Sequence, residues 1–255
     1  MKIPSPSIIF ENDDMFVVNK PYGMVVNRAD TTRHMVTLQD WIEEKFKTSP
    51  KGTSYFVAAN DSKLKVEEES DFYKRAGIVH RIDKETSGAL LIAKNEEAFA
   101  ALQLQFKEKT VDKMYVALCH GAVTPLEGTI DVPVGRLPWN RKKFGVIAEG
   151  RQSVTKYRVE KTFVSPQKET LSLVYAYPQT GRTHQIRVHM RYLNYPIFGD
   201  LLYAGRKNAR RDRMYLERHF LHAAKISFTN PRDKKRITVE APLPSELVDF
   251  LALLH

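Results

Sequence analysis

The stretch that most constrains this chain is His80-Arg81-Ile82-Asp83-Lys84-Glu85-Thr86-Ser87-Gly88, followed without a break by the apolar run Ala89-Leu90-Leu91-Ile92-Ala93. A short apolar run behind a polar loop that closes on glycine reads as an interior strand. A carboxylate, an arginine, two hydroxyls and a glycine attached to such a strand aim polar groups at one spot from a rigid support, the arrangement that holds chemistry. On residue types alone, Asp83 with Arg81 beside it is a nucleophile or base kept ionised by an arginine, or equally one half of an ion pair that supports a turn.

With 255 residues the chain buries a large core without needing a disulfide or metal staple. The lone Cys119 cannot form an intrachain bridge, and Met1-Lys2-Ile3-Pro4-Ser5 lacks the apolar core of a secretory signal. No apolar run approaches the roughly 20 residues of a membrane helix. With no internal repeat and no Gly/Ser linker, the expectation is one domain over 1–255, in a reducing, cytoplasmic compartment, with no membrane partner. Forty Lys plus Arg against thirty Asp plus Glu give a net charge of +10, which suits a partner such as nucleic acid, although a basic balance also serves solubility alone.

Ile8-Ile9-Phe10 and Met15 to Asn19 flank the acidic turn Glu11-Asn12-Asp13-Asp14 and read as a strand pair. Lys20-Pro21-Tyr22-Gly23 ends the second strand, and the lysine reads as a solvated cap, with a phosphate-holding role as the alternative. Thr37 to Asp40 opens a helix with a near capping box, on which Leu38, Trp41, Ile42 and Phe46 recur at helical spacing. Residues 48–76 lack a firm period and read as a surface excursion with a short hairpin around Tyr55-Phe56-Val57. Asn95 caps a helix carrying Glu96 and Glu97 in its first turn and Phe99, Leu102 and Phe106 on its buried face. In the strand 113–120, Met114, Val116 and Leu118 take one face and Tyr115, Ala117 and Cys119 the other, so Tyr115 faces a second core or a cleft. Strands are also expected at 153–160, at 169–177 and from Leu221 to Phe228, and a last helix is capped by Ser245 and runs to Leu254.

A second informative stretch is Thr180-Gly181-Arg182-Thr183-His184-Gln185-Ile186-Arg187-Val188-His189-Met190. Gly181 breaks the preceding strand and Thr183 is placed to cap a helix, which puts Arg187 in the first turn at the rim of the core. A cation is misplaced there against the helix dipole, and a nearby carboxylate would resolve the conflict. Two basic strips are candidates for phosphate contact or, equally, solvated loops. One spans Gly135 to Phe144 with Arg136, Trp139, Arg141, Lys142 and Lys143, and the other spans Gly205 to Arg218 with Arg206, Lys207, Arg210, Arg211 and Arg213. The chain has no paired cysteines, no His-Glu-x-x-His run, no P-loop or G-x-G-x-x-G stretch and no G-x-S-x-G elbow. Neither a metal site nor a nucleotide cradle is expected.

His80 to Gly88, with Ile82 in a position usually held by leucine, and Gly181 to His189, with Ile186 for leucine, closely resemble the two hallmark motifs of the RluA-type pseudouridine synthases. Lys20-Pro21-x-Gly23, Tyr115-Val116-Ala117, Gly199-Asp200-x-x-Tyr203 and Leu221-His222-Ala223 follow in the same family order, so the resemblance runs from about residue 8 to the C-terminus. It implies an α+β fold with a large, mostly antiparallel mixed sheet flanked by helices. The implied activity is isomerisation of uridine in ribosomal or transfer RNA by a monomeric enzyme that uses no cofactor. By the same resemblance Asp83 is the essential carboxylate, Arg187 its partner, Tyr115 the ring that stacks on the target uracil, Ile186 the opposite wall, and Arg81 the group that fills the vacated stack. The S4-type RNA-binding domain of many relatives is not expected here. A catalytically silent RNA-binding or chaperone protein on the same scaffold is the alternative.

Overall fold

The computed structural model describes residues 4–46, 70–165 and 168–255. Strands β1 (Ser7–Glu11) and β2 (Met15–Lys20) pair antiparallel across the expected acidic turn, which the Asn12 side chain closes by accepting from the Asp14 and Met15 amides. Helix α1 (Leu38–Lys45) begins at a full capping box between Thr37 and Asp40 and buries Leu38 and Ile42. Of the stretch read as a surface excursion, residues 48–69 lie outside the described residues, and residues 70–76 correct the reading. Helix α2 (Asp71–Lys74) sends Phe72 into the core edge-on to Phe99, and Ala76 is fully buried. One apolar anchor in a four-residue helix leaves no period for sequence reading to find.

Strand β3 (Ser87–Ala93) is buried at every position, and helix α3 (Glu96–Glu108) starts where Asn95 accepts from the Ala98 amide at 2.8 Å. The remaining elements are β4 (Asp112–His120), β5 (Glu127–Asp131), the hairpin β6 (Val134–Arg136) and β7 (Phe144–Val146), β8 (Val154–Val164), β9 (Thr170–Pro178), α4 (Gln185–Tyr192), α5 (Arg206–Asp212), β10 (Leu221–Thr229), β11 (Arg236–Glu240) and α6 (Ser245–Ala252). The main sheet runs β1-β2-β3-β10-β4-β9-β8-β5, with β11 also paired to β10. Every pairing in it is antiparallel except β10 with β3, which makes this an α+β fold on a mixed, mostly antiparallel sheet.

That parallel pairing positions the site. Gly88 has φ +117°, and a Cβ on it would lie 2.2 Å from the Ala223 carbonyl oxygen, so only glycine lets β3 approach β10 this closely. Next to it, Arg218 donates to the Ser87 hydroxyl at 2.8 Å, Ser87 pairs with His222 Nδ1 at 2.8 Å, and His222 Nε2 donates to the Ala241 carbonyl at 3.1 Å. A carbonyl only accepts, so the direction of the whole relay is set. In register across the sheet stand Gly88, Ala223, Tyr115 and Ala176, so small residues flank Tyr115 and leave room over its ring. The two faces of β4 alternate as expected: Ala117 and Cys119 pack with Ile186 and Met190 of α4, and Val116 and Leu118 with Leu247 and Phe250 of α6.

Local details differ from the sequence reading in four places. Thr183 does not cap α4; His184 takes the N-cap position in the left-handed conformation at φ 58°, and no side chain caps the helix. Ser245 is the first residue of α6, behind the N-cap Pro244, and offers no side-chain cap. The basic strip 205–218 contains α5, and its Arg218 is fully buried rather than solvated. Lys20 is no solvated cap and has no ammonium to spare for a phosphate. It is 0% exposed and donates to the carbonyls of Pro21, Met24 and Lys84 at 2.8, 2.9 and 3.2 Å. Its burial, with help from Arg218, lowers its pKa to about 7.

Candidate active site

A cleft of about 520 Å³ opens between the loop 79–86, the start of β4 and the start of α4. The sequence-predicted Arg81, Asp83, Tyr115, Ile186 and Arg187 all line it. The loop is braced from below. Lys20 and the Gly23 amide donate to the Lys84 carbonyl, Arg213 pairs with Glu85 at 2.7 Å, and Thr86 Oγ1 lies 2.9 Å from His219 Nε2. His80 belongs to this bracing: its Nε2 accepts from the Leu91 amide at 2.9 Å and its ring stacks on Phe106 at 4.6 Å. Burial and the nearby Lys113 charge lower its pKa to about 3, so it stays neutral.

Arg187 joins two carboxylates. Nε and Nη2 clasp Asp200 at 2.7 and 2.9 Å, and Nη1 donates to Asp83 Oδ2 at 3.0 Å. Asp200 is 0% exposed and also accepts from the Leu202 and Tyr203 amides at 2.9 and 3.2 Å. Burial alone would lower the Arg187 pKa; the hydrogen bonds and charge of Asp200, followed by those of Asp83, more than reverse this and raise it. The Tyr203 ring lies under the guanidinium, 5.0 Å from centroid to Cζ. Arg187 is thus a permanently charged bridge that fixes Asp83 Oδ2, while Asp83 Oδ1 accepts from no described residue.

Tyr115 stands on β4 with Ile186 in the same apolar cluster. Burial, then the charge of Asp83, pushes the phenol pKa up, so the ring meets any ligand in its neutral form. Arg81 is exposed at the mouth. His184 has Nδ1 2.8 Å from the Tyr203 hydroxyl and Nε2 3.9 Å from Asp83 Oδ2. Its pKa is lowered, by burial first, against the opposing pull of Asp83.

The two basic strips sit elsewhere. Arg141 and Lys142 are exposed on the β6–β7 hairpin, whose Trp139 is 77% exposed, while Arg136 stacks on Phe144 at 4.9 Å and Lys143 is half-buried. On α5, Arg206 and Arg210 are exposed and Arg211 pairs with Glu169. None of these lines the cleft; its basic rim comes from Arg81, Lys107, Lys109, Lys113 and Arg182. Lys113 is half-buried, reaches no acceptor among the described residues, and has its pKa lowered to about 8 by burial, with Asp112 opposing. Asp200, Tyr203, His184 and Lys113 are the site residues that sequence reasoning left without a role. The spacing Gly199-Asp200-x-x-Tyr203 was the available signal for two of them, and Lys113, two before Tyr115 on one strand, for a third.

The sequence profile described as RNA pseudouridylate synthase matches residues 14–192, more than half of the chain. The chain belongs to this family, and it is an isomerase that converts uridine to pseudouridine in RNA. It is 36% identical over 249 residues to an uncharacterized RNA pseudouridine synthase of Bacillus subtilis, covering 97% of this chain and 72% of that one. It is 34% identical over 263 residues to the ribosomal large subunit pseudouridine synthase D of Neisseria meningitidis, covering 99% of this chain and 63% of that protein. The solved structure of human RNA pseudouridylate synthase domain containing 1 superposes with a TM-score of 0.71 at 28% identity, covering 100% of this chain and 91% of that one.

Proposed function

We propose that this chain isomerises particular uridines of structured RNA, acting as one catalytic domain and a cytoplasmic monomer, with Asp83 as the essential carboxylate. The observation that carries the reading is Arg187, which spends two donors on the buried Asp200 and the third on Asp83. A pure support for the turn would not leave the second oxygen of Asp83 free within a cleft. In the reaction the N1–C1' bond breaks, the base turns, C5 bonds to C1', the C5 proton is lost and N1 takes up a proton in its place. Atoms and electrons balance within the nucleotide.

Tyr115 and Ile186 are the two walls for the uracil, a role supported by the small residues beside Tyr115 and by its neutral ring. The target must leave its stack to enter, and exposed Arg81 at the mouth is placed to occupy the gap. Lys107, Lys109 and Lys113 at the rim suit the phosphates on either side of the extruded nucleotide. Arg136, Arg141, Lys142, Lys143, Arg206 and Arg210 would meet more distant backbone, and Arg211 would first exchange Glu169 for a phosphate. Ribosomal RNA is favoured over transfer RNA by the name of the Neisseria relative. Base-resolution pseudouridine mapping tests this in cells lacking the protein, complemented with wild type or Asp83→Asn. The expected result is a small set of ribosomal sites restored by wild type alone; restoration by Asp83→Asn would overturn the reading.

A further inference from the structure

His184 is held at one end of its ring and faces a carboxylate at the other. Its side chain is 17% exposed, with the Tyr203 hydroxyl at Nδ1 and the Asp83 carboxylate facing Nε2. The Tyr203 hydroxyl accepts from the Phe144 amide at 3.0 Å, so Nδ1 is the one described acceptor for its own proton. A neutral imidazole that accepts at Nδ1 carries its hydrogen on Nε2. The opposite tautomer would strand the hydroxyl proton of a tyrosine that is 7% exposed and turn the Nε2 lone pair toward Asp83. Protonation of both nitrogens is opposed by burial, by Arg187 on the same helix and by Arg81 on the loop. Asp83 and Asp200 only partly offset these.

The separation of 3.9 Å between Nε2 and Asp83 Oδ2 is too long for a hydrogen bond, and that oxygen is already held by Arg187 at 3.0 Å. The Nε2–H is therefore a fixed donor without an acceptor among the described residues, next to the carboxylate where the glycosidic bond must lie. We propose that His184 donates this hydrogen bond to O2 of the target uracil, the carbonyl oxygen adjoining N1, with Tyr203 as the positioning residue that sets its tautomer. The proposal rests on the isomerase reading of the same cleft.

The chemistry calls for such a donor. When N1–C1' breaks, the bonding pair stays with the base and its charge spreads onto O2 and O4; bonding of C5 to C1' makes the base neutral again, and the C5 proton then leaves while N1 takes one up. A neutral N–H at O2 stabilises the charge while it lasts and gives up no proton, and a pre-oriented donor in a shielded site acts most strongly there. The first link of the relay is a backbone amide of β7, so the seating of the hairpin that carries Trp139 is tied to the tautomer in the cleft.

Two-bond nitrogen–proton correlation on protein with labelled histidines reads the tautomer without any substrate. Wild-type His184 is expected as Nε2–H and Tyr203→Phe as a mixture; a proton on Nδ1 in wild type overturns the proposal. The second arm is single-turnover tritium release from RNA labelled at uridine C5, extracted from cells lacking the protein, with RNA affinity measured in parallel. His184→Leu keeps bulk but no donor and is expected to slow release by about 100-fold at unchanged affinity. His184→Gln returns an N–H near the place of Nε2 and is expected to recover at least about tenfold of that loss. Equal rates for Leu and Gln, or a loss confined to affinity, would contradict the donor role. If both variants fail to fold, the nitrogen spectra alone decide. Absence of release by wild type would instead defeat the isomerase reading itself.

Discussion

Arg187 occupies the third position of α4, where the positive end of the helix dipole disfavours a cation, and the carboxylates of Asp200 and Asp83 account for its place there. The sequence alone exposed that conflict and even asked for a carboxylate, but Asp200 is a turn residue whose side chain gives no periodic signal. Asp83 and Tyr115 were legible because one sits in a dense polar motif and the other on a clean alternation. Lys113 was not legible as a site residue, since a lysine at the start of a strand is ordinary until its ammonium is found half-buried and without an acceptor among the described residues. We propose an RNA phosphate as its partner in the working complex. Lys113→Gln should flatten the salt dependence of RNA binding by about one counterion, a log–log slope change of roughly 0.7 to 0.9. Wild-type affinity should also fall as pH rises through about 8, where free Lys113 loses its proton, and the variant should lack that step. Parallel salt titrations with the same slope would contradict the assignment.

At the level of elements, the site depends on how closely β3 lies against β10. A methyl group at Gly88 would meet the Ala223 carbonyl oxygen at 2.2 Å in a backbone conformation that already disfavours side chains. Gly88→Ala should therefore destabilise the fold by about 3 kcal/mol or more in urea unfolding, with loss of activity in step, because it parts the strand carrying the Asp83 loop from the sheet carrying Tyr115. A variant with wild-type stability would show that the approach is not required. Elements with a strong local pattern were readable: α1 and α3 from their caps, β3 and β4 from their runs. The start of α4 was not, because a left-handed His184 is chosen by its bond to Tyr203, nineteen residues away in the chain. Charge misled in 205–218, where Arg213 and Arg218 are spent on Glu85, Ser87 and backbone carbonyls rather than on solvent.

Across the whole molecule the strand order is the least legible property, since the one parallel contact joins residues 87–88 to 222–223 and no local signal marks it. What the global packing does impose is a set of neutral, buried histidines. His189 and His222 are both 0% exposed, and burial lowers each pKa from 6.5 to about 4. The unfolded chain takes up these protons near pH 6.5 and the native state only near 4, so the unfolded state binds more protons between those values and stability is lost as pH falls through them. Each histidine should cost about 2 kcal/mol between pH 6.5 and 5 in urea unfolding. His222→Gln should show a shallower decline than wild type over that range; an identical decline would place the pH sensitivity elsewhere.

We propose that Asp83, presented by Arg187 beside Tyr115, performs the isomerisation. This central claim is tested most directly by tritium release from uridine-C5-labelled RNA under single-turnover conditions, with wild type and Asp83→Asn compared at equal RNA occupancy. The predicted result is release by wild type and none above background by Asp83→Asn, which still binds the RNA. Release by Asp83→Asn at the wild-type rate would contradict the account.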